Sequence, residues 1–165
     1  MTSAAERESA DQDSADQDSA DQDSADQDRA ERYMQIARQW FTEGWTGDLA
    51  MADVIFSEDL RTNGVHVGVA GPVGRIADRL AGFPDLSTSI EDMFVSGDKL
   101  AVTLIWRGNH TGSYGGVAAT GKHVEVRDTA IWHFGDGKVI EILTLQDQFG
   151  ILKQIGYLPE SVYAV

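Results

Sequence analysis

The sequence reads LAVTLIWRGNHT at residues 100–111 and KHVEVRDTAIWHF at residues 122–134, and these two stretches decide the fold. In both, large apolar residues alternate with polar or small ones, the pattern of a β-strand with one face on a core. The glycine-rich residues 112–121 between them do not lead from a strand into a helix and are expected to form a long hairpin connection. The two stretches therefore predict long antiparallel strands that are neighbours in one sheet.

Further strands and several helices are predicted around this pair. Alternation recurs at residues 86–95 and 138–146, and glycine turns at residues 96–98 and 135–137 join the four strands into an antiparallel meander. Apolar stripes with the helix period, together with capping and stop signals, predict helices at residues 33–44, 48–56, 73–80 and 148–155. The predicted fold class is α+β, with a curved antiparallel sheet wrapped on N-terminal helices around an enclosed pocket.

The composition bounds the class of protein. One hydrophobic core suffices for 165 residues, and the lack of cysteine excludes disulfides, thiol catalysis and thiolate metal sites. No apolar run approaches the roughly 20 residues that span a bilayer. Residues 1–10 have acids and alanine where a secretory signal has a basic end and an apolar run. We therefore expect a cytoplasmic protein that does not enter a membrane.

Most of the net charge of −14 lies in a repeat at the N-terminus. Residues 9–28 repeat the pentapeptide Ser-Ala-Asp-Gln-Asp four times, and no side chain there is a hydrophobic one larger than alanine. Such a segment cannot offset the entropy of ordering, so residues 1–28 are predicted to be a disordered acidic tail and residues 29–165 the folded domain. The alternative of a calcium loop lacks the glycine turn and the bidentate acid. No basic stripe is present either, so nucleic-acid binding is not expected.

Two polar residues fall on the apolar face of the central strands. His110 shares the parity of Val102, Leu104 and Trp106, and Asp128 shares that of Val124 and Val126. Side chains of like parity lie on one face of a strand, so a catalytic pair of carboxylate and imidazole is one interpretation. The alternative is that Asp128 pairs with Arg107, Lys122 or Arg127 at a strand edge and that His110 merely ends its strand.

The remaining candidates are weaker. His66, His123 and His133 are expected at the surface, and no pair of histidines or acids has a metal-ligand spacing on one element, so no metal is predicted. A serine hydrolase is not indicated, because no Gly-x-Ser-x-Gly elbow occurs. Asn63 precedes Gly64 and reads as a turn residue, with a pocket amide as the alternative.

Several motifs together resemble a known family. They are Arg107-Gly108-Asn109-His110-Thr111-Gly112, Ala119-Thr120-Gly121-Lys122, Phe134-Gly135-Asp136-Gly137-Lys138-Val139-Ile140-Glu141 and Asp147-Gln148-Phe149-Gly150-Ile151-Leu152-Lys153-Gln154-Ile155-Gly156. Shorter ones are Trp45-Thr46-Gly47-Asp48 and Phe83-Pro84-Asp85-Leu86. The chain resembles the SnoaL-like polyketide (ester) cyclases of the nuclear-transport-factor-2-like superfamily over residues 33–156.

The resemblance implies a cofactor-free enzyme that closes a ring in secondary metabolism by intramolecular aldol condensation. Asp128 best matches the family's general acid/base and His110 its pocket histidine, while Asp147 matches a further aspartate that also serves as a helix cap. The implied substrate is a small hydrophobic polycyclic or polyketide-like molecule. Its expected contacts are Asn63, Trp106, Tyr33, Trp132 and Trp40.

The chain also departs from the family pattern near the expected pocket mouth, at Thr46, at His133 and in residues 62–66. Epoxide-hydrolase or ether-ring chemistry, isomerisation and hydroxylation therefore remain alternatives. The epoxide reaction requires two facing carboxylates, such as Asp128 and Asp147. A non-catalytic small-molecule-binding module is a further alternative. The exposed face of the sheet also predicts a homodimer.

Overall fold

The computed structural model describes the backbone of residues 4–159 and the side chains of residue 17 and residues 21–159. Its first element is the helix α1, Ala4–Thr42. The apolar stripe of α1 buries Tyr33, Ala37, Trp40 and Phe41 against the sheet.

The acidic repeat differs from the sequence-based expectation. Residues 4–28 continue α1 towards the N-terminus as helix, whereas the sequence predicts a disordered tail over residues 1–28. The repeat contains neither glycine nor proline and adjoins a helix that packs on the core, so helical turns add to it without a new nucleation step. Residues 21–29 are exposed, and none of them belongs to the core. The division of the chain near residue 28 stays a prediction.

One curved sheet of six strands follows. The strands are β1 (Phe56–Thr62), β2 (Val65–His66), β3 (Ser87–Ser96), β4 (Lys99–Asn109), β5 (His123–Gly135) and β6 (Lys138–Gln146). Their spatial order is β2-β1-β6-β5-β4-β3, and every neighbouring pair is antiparallel except β1 with β6. The predicted meander of four strands is confirmed within two residues at each end.

The edge formed by β1 and β2 was not predicted. The apolar pattern of residues 48–56 predicts a helix that reaches Phe56, but the helix α2 covers only Ala52–Ile55, after a short 3-10 turn at Leu49–Met51. β1 has no strict alternation of buried and exposed residues, and its register with β6 shifts between Phe56 and Arg61. A strand with such an irregularity carries little periodic signal.

Two more helices complete the fold. α3, Ala70–Gly82, is longer than predicted and lies between β2 and β3 in the chain. α4, Gln148–Gln154, begins at Asp147, whose Oδ1 accepts a hydrogen bond from the Gly150 N–H at 2.7 Å, and Gly156 follows with φ 83°. The predicted capping residue and stop residue of the last helix are therefore confirmed.

The concave face of the sheet forms the core. Residues alternate between buried and exposed along β4 and β5, and the buried set includes Leu100, Val102, Leu104, Val126 and Trp132. On the outer face Ile131, Leu143 and Leu145 stay exposed, and the homodimer expected there stays a prediction. Within the described residues no helix is long and apolar enough to cross a membrane.

Candidate functional site

Asp128 is buried on the concave face of β5 with a relative exposure of 3%. It lies opposite Leu104 of β4 and Gln146 of β6. The Gln146 Nε2 donates to its Oδ2 at 3.4 Å. The face predicted by strand alternation is therefore correct, and the alternative of an exposed carboxylate at a strand edge is not what the structure shows.

The charged partner of Asp128 is Arg79, which the sequence analysis missed. Arg79 Nη2 lies 3.4 Å from Asp128 Oδ2, and the arginine side chain is only 1% exposed. On α3 the buried residues Pro72, Ile76 and Arg79 follow the helix period, so the arginine occupies a core position of an amphipathic helix. That placement was the available signal, since an arginine in phase with an apolar stripe needs a buried partner.

Two indole rings hold the Arg79 guanidinium. Its Cζ lies 4.4 Å from the ring centroid of Trp45 and 4.7 Å from that of Trp106. A planar, weakly hydrated guanidinium is attracted to aromatic faces through cation–π contact. The two rings therefore restrict the guanidinium to a narrow range of orientations beside Asp128.

Burial and charge act on the Asp128 carboxyl in opposite directions. Burial raises its pKa, because removal from water disfavours the ionised form, while Arg79 and then Arg75 lower it. Burial wins, so the pKa of Asp128 lies above its ordinary value. Burial likewise lowers the pKa of Arg79, against the attraction of Asp128. The result is a carboxylate shifted towards the range of a useful general base.

Several polar atoms of this group have no hydrogen-bond partner. They are Asp128 Oδ1, Arg79 Nε and Nη1, and the indole nitrogens of Trp45 and Trp106. Among the described residues only one other buried side-chain polar atom is in the same state, His110 Nε2. Buried polar groups are normally paired, so these atoms, which have no protein partner at ordinary hydrogen-bond geometry, have the capacity to bond to a ligand or to water.

An apolar cavity adjoins the pair. It has a volume of about 50 Å³ and opens between α1, α3 and the end of the sheet. Its lining residues are Trp40, Phe41, Trp45, Thr62, Pro72, Arg75, Ile76, Ala130, Trp132, Ile142, Thr144 and Gln146. Aromatic walls with few polar groups suit a small apolar group of a ligand rather than a whole ligand, because ligand sites usually have roughly 300–1,000 Å³.

A polar cleft of about 430 Å³ lies next to this cavity. It is lined by Arg75, Asp78, Arg79, Ala81, Ser113, Tyr114, Gly115, Gln146 and Gln148. Arg75 and Gln146 line both spaces. Asp128 itself lines neither space, but its carboxylate bonds to Gln146, which lines both, and to Arg79, which lines the cleft.

His110 is buried on the same face, but the structure does not bring it to Asp128. His110 is six positions beyond Leu104, the β4 partner of Asp128, which corresponds to about 20 Å of extended chain. Its Nδ1 lies 3.0 Å from Thr120 Oγ1 and its ring lies against Phe83. Strand alternation predicts the face and not the distance along it, so it could not show that the two side chains make no contact. A separate role for His110 in the reaction stays a prediction.

Asp147 and Asn63 both have structural partners. Asp147 is exposed and caps α4. Asn63 is exposed at the β1–β2 turn with φ 49°, and its side chain exchanges two hydrogen bonds with the backbone of Thr144, at 2.9 and 3.1 Å. The turn role of Asn63 is therefore present, and its amide does not line the apolar cavity or the polar cleft.

The four aromatic candidates divide. Trp40 and Trp132 line the apolar cavity, and Trp106 lies on Arg79. Tyr33 stacks on Phe134 with ring centroids 3.7 Å apart and lines neither space.

The other histidines lie away from the site. His66 and His123 are exposed, His133 is half-buried beside Glu141, and none of the three lines the cavity or the cleft. Among the described residues no group of three or more histidines or acids could hold a metal ion.

Comparisons with known proteins agree with this architecture. The family model for the SnoaL-like polyketide cyclases matches residues 35–155. No curated protein matches the chain significantly.

Solved structures share the fold at low sequence identity. A proposed SnoaL-like polyketide cyclase from Jannaschia sp. CCS1 is 24% identical, with a TM-score of 0.70 over 79% of this chain and 95% of that chain. IdmH from Streptomyces antibioticus, a proposed polyketide cyclase, is 24% identical, with a TM-score of 0.65 over 74% and 97%. AclR from Streptomyces galilaeus, a proposed hydroxylase, is 24% identical, with a TM-score of 0.66 over 78% and 81%.

Proposed function

The chain belongs to the SnoaL-like polyketide cyclase family, and from that premise we propose that it closes a ring on a polyketide-like substrate with Asp128 as general acid/base. The observation that carries the proposal is the buried Asp128 carboxylate behind Gln146, where the apolar cavity meets the polar cleft. The apolar part of the substrate would contact the aromatic walls of the cavity, and its oxygen-rich part would lie in the cleft.

The reaction is an intramolecular aldol closure. Asp128 takes a proton from the carbon next to a carbonyl group, and the electron pair of that C–H bond moves into the carbonyl to form an enolate. The enolate carbon then attacks a second carbonyl of the same molecule, and the resulting alkoxide takes the proton back from Asp128. Protons and electrons balance within the substrate and Asp128, so the proposal requires no cofactor.

The surroundings of Asp128 suit these steps. Apolar walls restrict water, which would otherwise compete for the enolate and weaken every charge interaction in the site. The pKa of Asp128 is raised in the direction of neutral pH, so its carboxylate is a stronger base than that of an exposed aspartate.

The test uses aromatic polyketide acids and methyl esters that carry a 1,3-dicarbonyl side chain. Mass spectrometry follows a cyclised product of unchanged mass, and incorporation of deuterium from D₂O at the acidic carbon reports proton abstraction by itself. Asp128→Asn should lower both rates by about 100-fold to 10,000-fold, the usual contribution of a general acid/base.

Glu125→Gln is the matched control, because Glu125 lies on the same strand with its side chain on the outer face and pairs with Arg107 at 2.7 Å. Its rates should stay at the level of the unsubstituted protein. An Asp128→Asn protein that folds and keeps near-full rates would overturn the assignment.

A further inference from the structure

Arg79 is buried where an arginine could have reached water. Long basic side chains on a helix usually extend their charged end to the surface while their stems cover apolar groups. Arg75, one helical turn earlier, is exposed, whereas Arg79 is 1% exposed. The side chains that contact the Arg79 guanidinium therefore hold it in the interior.

Three side chains surround the guanidinium. Trp45 follows α1 in the chain, Trp106 belongs to β4, and Asp128 belongs to β5. Parts of the fold that are distant in sequence thus meet at this one cation. A charge with a defined plane and a defined partner is a preorganised group, since neither ring stack nor ion pair has to form during the reaction.

Stability does not explain the pair. Ion pairs removed from water are often no better than apolar residues of the same volume, even when they are fully hydrogen-bonded. This one is not fully bonded, because Arg79 Nε, Arg79 Nη1 and Asp128 Oδ1 have no partner. An apolar pair of the same volume is therefore expected to be at least as stable, and what distinguishes this ion pair is its electrostatic effect on Asp128.

We propose that Arg79 is a positioning residue of the reaction, whose guanidinium, held between Trp45 and Trp106, keeps the Asp128 carboxylate ionised and fixed in one orientation. The inference rests on the proposed function, in which Asp128 is the base. A carboxyl group in an apolar pocket would otherwise be protonated and could not accept a proton from the substrate.

Few other charges act on the pair. On α3 Arg75 acts on both residues, and the β4–β5 loop contributes Tyr114, which acts on Arg79; Asp78 of α3 lines the same cleft. The neighbours of Asp128 on β4 and β6, Trp106 and Gln146, carry no charge. Arg79 is therefore the one group whose loss should change the state of Asp128 strongly.

The experiment follows the Asp128 carboxyl carbon by NMR through a pH titration of the full chain. Arg79→Met should raise the pKa of Asp128 by about 1–3 units relative to the unsubstituted protein, the usual effect of one adjacent cation. Arg75→Met is the graded control: it removes a cation of the same helix that does not contact Asp128, and should give a clearly smaller rise. An Asp128 pKa in the Arg79→Met protein equal to that of the unsubstituted protein would overturn the proposal.

Arg79→Lys guards against loss of fold. Lysine keeps the charge but not the planar group that stacks on two indoles. The pKa of Asp128 in Arg79→Lys should therefore lie between its values in the unsubstituted protein and in Arg79→Met. If Arg79→Met does not fold, an Asp128 pKa in Arg79→Lys equal to that of the unsubstituted protein would by itself overturn the fixed orientation that we infer.

Turnover separates this inference from the proposed function. The pH at which kcat rises to half its maximum should move upward in Arg79→Lys in step with the titration of Asp128. If the titration shifts as expected while Asp128→Asn retains full turnover, the proposed function fails and the electrostatic role of Arg79 survives. If Asp128→Asn is inactive and the titration does not shift, only the role of Arg79 fails.

Discussion

The concave face of the sheet carries two buried ionisable residues, Asp128 midway along β5 and His110 just beyond the end of β4, and their surroundings differ. Asp128 lines neither open space itself, but it contacts Arg79, which lines the cleft, and Gln146, which lines both the cleft and the cavity. His110 contacts a hydroxyl group and a phenyl ring and lines neither space. Burial alone is therefore a poor guide to chemistry, and the useful observation is burial beside both a charged partner and room for a ligand.

The largest effect should come from breaking the ion pair between Arg79 and Asp128. Arg79→Met alone leaves a buried carboxyl group without its cation, and should lower the free energy of unfolding at pH 7 by about 3–5 kcal/mol. Adding Asp128→Leu removes the uncompensated charge and should recover most of that loss. Urea unfolding measures both. A double variant as unstable as the sum of the two single variants would mean that the pair is not coupled.

A smaller effect on stability is expected from substitution of His110. His110→Ala removes a buried ring and its contact with Thr120, and should lower the free energy of unfolding by about 2 kcal/mol. The pKa of Asp128 should not change, because about 20 Å of strand lies between the two sites. The same urea unfolding and NMR titration measure these effects. A shift of the Asp128 pKa comparable to that in Arg79→Met would show that His110 and Asp128 are electrostatically coupled.

The smallest effect is expected from a change of pH alone. The comparison is between Asp128 and Asp85, which lies near His110. Hydrogen bonds from the Asn109 backbone and side chain lower the pKa of Asp85, whereas burial raises that of Asp128. The stability linked to Asp85 should be present above pH of about 4 and lost as the pH falls, while that linked to Asp128 should be full below pH of about 4 and lost as the pH rises.

Urea unfolding across this pH range, compared with Asp85→Asn and Asp128→Asn, measures each contribution. Slopes of the same sign for the two residues would contradict the comparison.

The fold could be predicted where the sequence is periodic. β3 to β6 alternate over most of their length, and glycine turns join β3 to β4 and β5 to β6 while a longer glycine-rich connection joins β4 to β5, so their positions follow from the sequence alone. β1 pairs in parallel with β6, a strand far along the chain, through a register shift, and nothing local in residues 56–62 records that pairing. The pairing depends on the whole sheet being present.

The site could be predicted only in part, for a related reason. Strand alternation places Asp128 on the concave face, but the register that separates it from His110 depends on the length of the β4–β5 connection. Arg79 belongs to another element, and only its phase on α3 hinted at burial. Pairing between a helix and a strand has no signature in either segment, so the partner of Asp128 emerges only when the two are packed.

The β4–β5 connection is anchored at both of its ends. The N–H groups of Thr111 and Gly112 donate to the Gly82 carbonyl oxygen at 3.1 and 3.0 Å, and a Cβ at Gly112 would overlap the Ala81 carbonyl oxygen. The His110 backbone bonds to Thr120, Gly121 and Lys122.

Residues 113–119 lie between these anchors and supply Ser113 and Tyr114 to the polar cleft. For protein engineering, residues 113–119 form a loop segment that can be substituted as a unit. Its sequence can be varied to alter which molecules the cleft admits, while the anchors keep the strands that carry the reacting group in place.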